Sequence, residues 1–439
     1  MKLHKLIGYG ALAAVLFAVP VSAQLSGPNS PPPPQTPPPP PPPPPPSQPP
    51  NNNDDRGGIG AGEVIGIAIP AIIGLFGAKK IFGMRDRKHK QFTKNTVNFL
   101  FEGDVASARA FADAQGLRDI EIEELDSIGA TLVSARVAKK QKPDSQVTLL
   151  ATMAGVIEVE REGLFQQMGS VSGATIPLAA ASAPVVTSTM MAAAGGGNVS
   201  VAMIDSLVDI DHENLKSGWI RQANFTGSAK DSIHGTAIAS LIAGRGQVSG
   251  KAAGQKLYSF AAFSAAKGNR PGVARTRSLA KALNAAARVN PHILNMSFGG
   301  PNNAILTRIL KRMYARGTCM VAATGNGGKK ARPPFPARLA EVTGITAVDK
   351  KMRAYKYATP GFHVGAAASG VKRLTAVPGG YRIASGTSFA SADVAGQLSR
   401  SSICTGRRGK GLKTQISKSA RDLGAPGRDD VYGYGLFRL

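Results

Sequence analysis

The chain has 439 residues and 53 lysines and arginines against 27 acidic residues, a formal charge of +26. Its two cysteines exclude a disulfide framework and supply too few thiolates for a cysteine-built zinc site. The positive charge is concentrated in residues 198–439, with 36 basic and 11 acidic side chains (net +25), whereas 95–162 carry 7 and 12 (net −5).

Residues 1–23 begin with Lys2 and Lys5, continue through an apolar stretch to Val19 and end in Val21-Ser22-Ala23. This is a secretory signal pattern. The alternative, an uncleaved anchor, has against it a short apolar core followed by a small-residue cleavage site. Residues 24–58 form a proline-rich spacer, expected to be extended and exposed. Residues 59–78 are apolar and long enough to span a bilayer but are interrupted by Glu63, Pro70 and several glycines. They read either as a transmembrane segment or as an interfacial or buried glycine-rich helix. The basic cluster from Lys79 to Lys90 would hold the remainder in the cytoplasm if 59–78 spanned a membrane, which opposes export. Residues 95–165 alternate strand-like (97–101, 120–125, 130–137, 156–159) and helical (105–114, 145–153) patterns, a small α+β domain. Residues 166–197 are rich in Ala, Ser, Gly and Thr and read as a cleavable linker.

From residue 198 the pattern becomes a series of apolar runs and helices. The run 199–204 has the continuous apolarity of a parallel strand buried on both faces, and Asp205 ends it. Asp205 is either an orienting carboxylate or a turn aspartate. His234 heads a helix of small residues that Gly244 can cap, whereas His212, His292 and His363 read as solvated or capping histidines. The run 293–298 ends in Gly299-Gly300, and 319–323 ends in Thr324-Gly325-Asn326, whose carboxamide can donate to a developing negative charge. Gly386-Thr387-Ser388 opens an apolar helix that reaches Leu398. A serine there lies beside unpaired N–H groups, as a nucleophile or as a structural turn and cap.

Together, and in the order Asp205, His234, Asn326, Ser388, these segments resemble the subtilisin-like serine proteases, the subtilases. The resemblance covers about 198–439. It also includes Asn295-Met296-Ser297-Phe298-Gly299-Gly300, Phe335-Pro336-Ala337 and the closing motifs from Gly424 to Gly435. It implies a doubly wound parallel α/β protease domain in which Ser388 attacks a peptide carbonyl, His234 accepts the proton and Asp205 fixes the imidazole. Asn326 would hold the oxyanion, and Ser297, Phe298 and Gly299 would pair with an extended substrate. Gly299, Gly300 and Gly325 would leave room for a fairly large residue before the cut bond. The 95–165 domain resembles, more weakly, the ferredoxin-like inhibitory propeptide of that family. Its opposite charge suits docking on the basic domain.

By this resemblance the product is an exported endopeptidase, periplasmic, envelope-associated or extracellular and membrane-anchored if 59–78 spans, made as a self-inhibited precursor. Its partners are protein or peptide substrates and its own propeptide. Calcium is common in the family, but no carboxylate loop in this sequence identifies a site, so no metal or cofactor is assigned. Cys319 and Cys404 both fall about 23 Å from the active site by strand and helix rise, as a disulfide or as two buried thiols. One departure stands out: Leu207 occupies a position where the family usually has glycine. If that backbone demands a glycine conformation, Asp205 is displaced, and the competing reading is a catalytically impaired subtilase-scaffold protein that binds envelope polyanions or proteins. Dispersed basic residues, without interleaved aromatics, argue against nucleic acid.

Overall fold

In a computed structural model, residues 91–177, 199–216, 219–227, 233–264, 271–406 and 409–439 are described. The expected signal and spacer, the apolar segment 59–78 and most of the expected linker lie outside them. Among the described residues no helix is long and apolar enough to cross a membrane.

The N-terminal part of the described chain runs β1 (Phe92–Phe101), α1 (Val105–Ala114), β2 (Arg118–Leu125), β3 (Ala130–Arg136), α2 (Pro143–Leu150) and β4 (Val156–Gln167). Strand order is β4-β1-β3-β2, with every pair antiparallel. Val97, Phe99, Val133 and Ala135 point to one face, where Ala108, Ala112 and Leu150 of the two helices close a small core. Asp104 caps α1 by accepting from Ser107 N at 2.7 Å. Residues 166–177 are not an open linker. Gln166 and Gln167 complete β4, and β5 (Ser170–Pro177) pairs antiparallel with the strand Gly380–Ser385.

The larger part is built on β6 (Ser200–Asp205), β7 (Ile220–Asn224), β8 (Lys256–Ala261), β10 (Ile293–Met296), β12 (Cys319–Ala323), β13 (Thr343–Val348) and β14 (Val364–Ser369). These form one sheet of order β14-β13-β12-β10-β6-β8-β7 in which every neighbouring pair is parallel. Both faces are covered, which is why the strands are apolar without alternation. Val201, Met203 and Val321 face α3 (Ile233–Ala243) and α6 (Thr387–Leu398). Ala202, Ile204, Leu294 and Met320 face α4 (Thr276–Val289) and α5 (Ala304–Ala315). The expected doubly wound parallel α/β fold is the one observed. Cys319 and Cys404 are bonded, with Cα atoms 6.0 Å apart, tying the start of β12 to the chain beyond α6.

The acidic module sits on α4 and α5. Arg277 pairs with Glu121, Lys281 with Glu123 at 2.8 Å, and Arg288 with Asp126 at 2.8 Å. These pairs are partly solvated, so each contributes little energy and their effect is mainly on orientation. Hydrogen bonds from backbone amides accompany them. Gly163 N donates to Thr276 Oγ1 at 2.9 Å, and Ser127 N to Asn284 Oδ1 at 3.1 Å. Glu160 accepts from Ala304 N at 3.0 Å, at the start of α5.

Candidate active site

The C-terminal end of β6 delivers Asp205, fully buried, beside the N-terminus of α3. Helix and strand end approach closely because residue 235 is glycine: a Cβ there would overlap the carbonyls of Ser206 and Leu207. Gly235 N donates to Ser206 Oγ at 3.0 Å, and Asp209 N to Thr236 Oγ1 at 2.8 Å, which fixes the helix entrance. His234 Nδ1 then lies 2.8 Å from Asp205 Oδ1, which also accepts from Ser206 N at 2.8 Å. The condition under which Leu207 would displace Asp205 is not met. Among the described non-glycine residues, positive φ is confined to Asp119, Asn290, Met352 and Lys372, so the backbone at Leu207 requires no glycine conformation.

Ser388 enters α6 one residue after its start and is fully buried. Gly386 precedes it at φ 152°, a conformation open mainly to glycine, and a Cβ there would fall 2.7 Å from Gly169 Cα. Asn326 Oδ1 accepts from Thr387 N at 3.1 Å and Thr387 Oγ1 at 3.0 Å, which fixes the orientation of its carboxamide. Its Nδ2 and the Met168 carbonyl oxygen lie 2.9 and 3.1 Å from the point that a Gly386 Cβ would occupy.

Ser388 and His234 share no hydrogen bond. Ser388 Oγ instead donates toward the carbonyl oxygens of Met168 and of Ser297, the latter at 3.1 Å, while His234 Nε2 is buried without a partner. Ser388 N donates to the same Met168 oxygen at 2.9 Å. The next residue, Gly169, has its Cβ position 3.4 Å from His234 Nε2. A peptide bond of the chain itself thus lies across the serine and the imidazole.

The residues leading to that bond are held as a strand between two others. Leu164, Phe165 and Gln166 pair antiparallel with β9 (Val273–Arg275). On the other edge, Gln166 and Gln167 pair with Gly299 and Phe298 of β11 (Phe298–Gly299), and Met168 N donates to Ser297 O at 3.0 Å. Ser297, Phe298 and Gly299 thus hold an extended segment of the chain itself, and Gly325 shares the Pro334 wall with Gly299. The residues missed by sequence reading are Met168 and its neighbours. Their signal was the continuation of the β4 pattern past residue 159, obscured by the small-residue composition that follows.

Two of the other histidines are buried and not solvated. His212 is buried, bonding Gly380 O at 3.0 Å through Nε2 and accepting from Asn214 N at 3.0 Å. His363 is also buried, with Nε2 3.0 Å from Thr324 O, and burial holds its pKa below the usual imidazole value. His292 accepts from Ser200 N at 3.2 Å. Among the described residues there is no group of three or more His, Cys, Asp or Glu side chains that could hold a metal ion.

Residues 196–435 match the Subtilase family. The chain belongs to the subtilase family. Its protease domain is 28% identical over 252 residues to the minor extracellular protease Epr of Bacillus subtilis, a match covering 55% of this chain and 38% of that one. Against subtilisin DY of Bacillus licheniformis the identity is 27% over 258 residues, covering 55% of this chain and 89% of that one. Against a thermostable alkaline protease of Halalkalibacterium halodurans it is 31% over 212 residues, covering 46% and 55%. The subtilase chain thus spans well under two thirds of two of these relatives. Fervidolysin of Fervidobacterium pennivorans, described as a keratinolytic enzyme related to subtilisin, shares the fold with a TM-score of 0.65 at 19% identity over 80% of this chain and 61% of that one. The epidermin leader peptide processing protease of Staphylococcus aureus does so at 0.61 and 15%, over 78% and 96%.

Proposed function

We propose that this subtilase is a serine endopeptidase in which Asp205, His234 and Ser388 form an acyl-enzyme, made as a self-inhibited precursor. The observation that carries the reading is a buried Asp205–His234 hydrogen bond beside a serine whose N–H already holds a peptide carbonyl. Ser388 Oγ would add to a carbonyl carbon as His234 Nε2 takes its proton, and the imidazolium would then protonate the leaving amine. The Ser388 N–H and the Asn326 carboxamide would hold the oxyanion. Asn326→Ala is expected to lower kcat by about 10²–10³-fold with little change in KM, read by steady-state kinetics on the processed protein.

In this reading residues 92–167 are a ferredoxin-like inhibitory propeptide, since its last strand occupies the peptide-binding edge and its acidic face meets basic helices. The signal-like N-terminus supports export to the periplasm, envelope or medium. The ordinary backbone at Leu207 removes the reason to favour a decayed binding scaffold. A serine-directed fluorophosphonate should label processed wild type on Ser388, and absence of labelling would overturn the endopeptidase reading.

Release of the propeptide should depend on pH. Burial pushes the Glu160 carboxyl up to about 8 from 4.5, against the opposing hydrogen bond from Ala304 N, and its Oε1 is buried without a partner. Glu162 is shifted in the same direction by burial. The docked form therefore holds protons that the free form gives up. Docking is fully supported below about 4.5 and loses this contribution as pH rises through about 8. Activity from a cut but still associated precursor should appear faster at high pH than at low pH, and Glu160→Gln should flatten that dependence.

A further inference from the structure

Resting on the endopeptidase reading, we propose that this protein cuts its own chain between Met168 and Gly169, and that Phe165, Gln167 and Met168 are the side chains by which it recognises substrates. The substrate class is then a protein segment bearing an aromatic residue, any residue, glutamine and methionine, in that order, before the cut bond.

The bond is already positioned. The Met168 carbonyl oxygen receives Ser388 N at 2.9 Å, and Gly169 lies over His234 Nε2. The chain is held on both sides of it, by Ser297 at Met168 and by the pairing of Ser170 with Ser385. Ser388 Oγ adds to the Met168 carbonyl carbon and its proton passes to His234 Nε2. The carbon–nitrogen bond to Gly169 breaks, and the Gly169 nitrogen takes that proton and leaves as the new N-terminus. Water then adds to the Met168 ester, giving a proton through His234 back to Ser388 Oγ and leaving a carboxylic acid on Met168.

Three glycines make room for the three side chains. A Cβ on Gly299 would overlap Met168 Cε, and one on Gly300 would overlap the Phe165 ring. A Cβ on Gly272 would fall 2.6 Å from Gln167 Oε1. The Phe165 ring is fully buried, edge-on to Phe298 and Phe335 with centroids 6.2 and 5.9 Å away. Gln167 is satisfied at both ends: Nε2 donates to Asp205 Oδ1 at 2.8 Å, and Oε1 accepts from Gly272 N at 3.1 Å. A glutamate there would set a second carboxylate against Asp205. A site built around a hydrogen-bonding side chain rejects analogues lacking it far more strongly than an apolar pocket rejects a smaller side chain.

The test is to incubate the full-length chain, sequence the N-terminus of the mature product, and assay the processed protein on peptides bearing Phe-Gln-Gln-Met before the bond. The expected N-terminus is Gly169. Replacing the peptide's Phe, second Gln or Met by Ala, Glu and Asp respectively should each lower kcat/KM by about tenfold or more. Gly299→Ala should lower kcat/KM for the Met peptide more than for one with Ala before the bond, a change of ratio that misfolding would not produce. Processed protein that takes the fluorophosphonate label but starts elsewhere, or cuts all these peptides alike, would overturn this inference while leaving the endopeptidase reading intact. Absence of both labelling and cutting would overturn both.

Discussion

Ser388→Ala is expected to leave the precursor uncut, its self-cleavage rate falling on the order of 10⁶-fold. The substitution removes the only atom proposed to bond carbon, while most of what builds the site survives. The residue 388 N–H that holds the Met168 carbonyl at 2.9 Å remains, as does the acceptance by the residue 388 carbonyl from Ser297 Oγ at 3.1 Å. The variant should therefore unfold at nearly the wild-type temperature and retain its docked N-terminal module. Intact mass spectrometry over a day measures the cut, and thermal unfolding measures the fold. Wild-type processed protein added in trans should cut the variant where wild type cuts itself. Self-cleavage of Ser388→Ala within tenfold of wild type would end Ser388's role as nucleophile.

The same residues divide what the sequence made legible from what it did not. Where Asp205, His234 and Ser388 sit in the fold is legible because each lies in a local pattern that physics makes narrow: an apolar strand end, a small-residue helix entrance, a glycine turn into a buried helix. The parallel sheet followed from continuous apolar runs whose two faces must both be covered. Met168 was not legible. Its position depends on residues 166–167 pairing with 298–299, more than a hundred residues away in the chain, and the Ala, Ser and Gly composition that follows resembles a linker. Small residues there serve a different need, since Gly169 packs against Phe389 and His234, where a side chain would collide. His212 and His363 likewise turn inward through partners, Gly380 and Thr324, that no local pattern could supply. At Leu207 the sequence leaves open whether the backbone needs a glycine conformation, because φ cannot be read from one residue type, and here φ is not positive.

Asp205→Asn is the second large effect, a loss of about 10⁴-fold in the rate of self-cleavage with little change in the fold. Asp205 Oδ1 receives His234 Nδ1, Gln167 Nε2 and Ser206 N, all at 2.8 Å, and Oδ2 is buried without a partner. An asparagine can meet this arrangement in two ways. With its NH₂ at the Oδ1 position it faces three donors, and the imidazole must turn its Nδ1 lone pair to it, leaving the proton on Nε2, where it cannot accept one from Ser388. With its oxygen there the tautomer is kept, but a neutral amide no longer stabilises the imidazolium that forms, and the NH₂ is buried without an acceptor. Both outcomes act through His234, so fluorophosphonate labelling of Ser388 should slow in parallel with self-cleavage. The Asp205 carboxylate also receives Gln167, so the variant should weaken the hold on the chain before the Met168–Gly169 bond. A purely structural role would instead lower the unfolding temperature and spare the labelling rate of the molecules that remain folded. Labelling within tenfold of wild type would therefore remove Asp205 from the mechanism and leave it a turn residue at the end of β6.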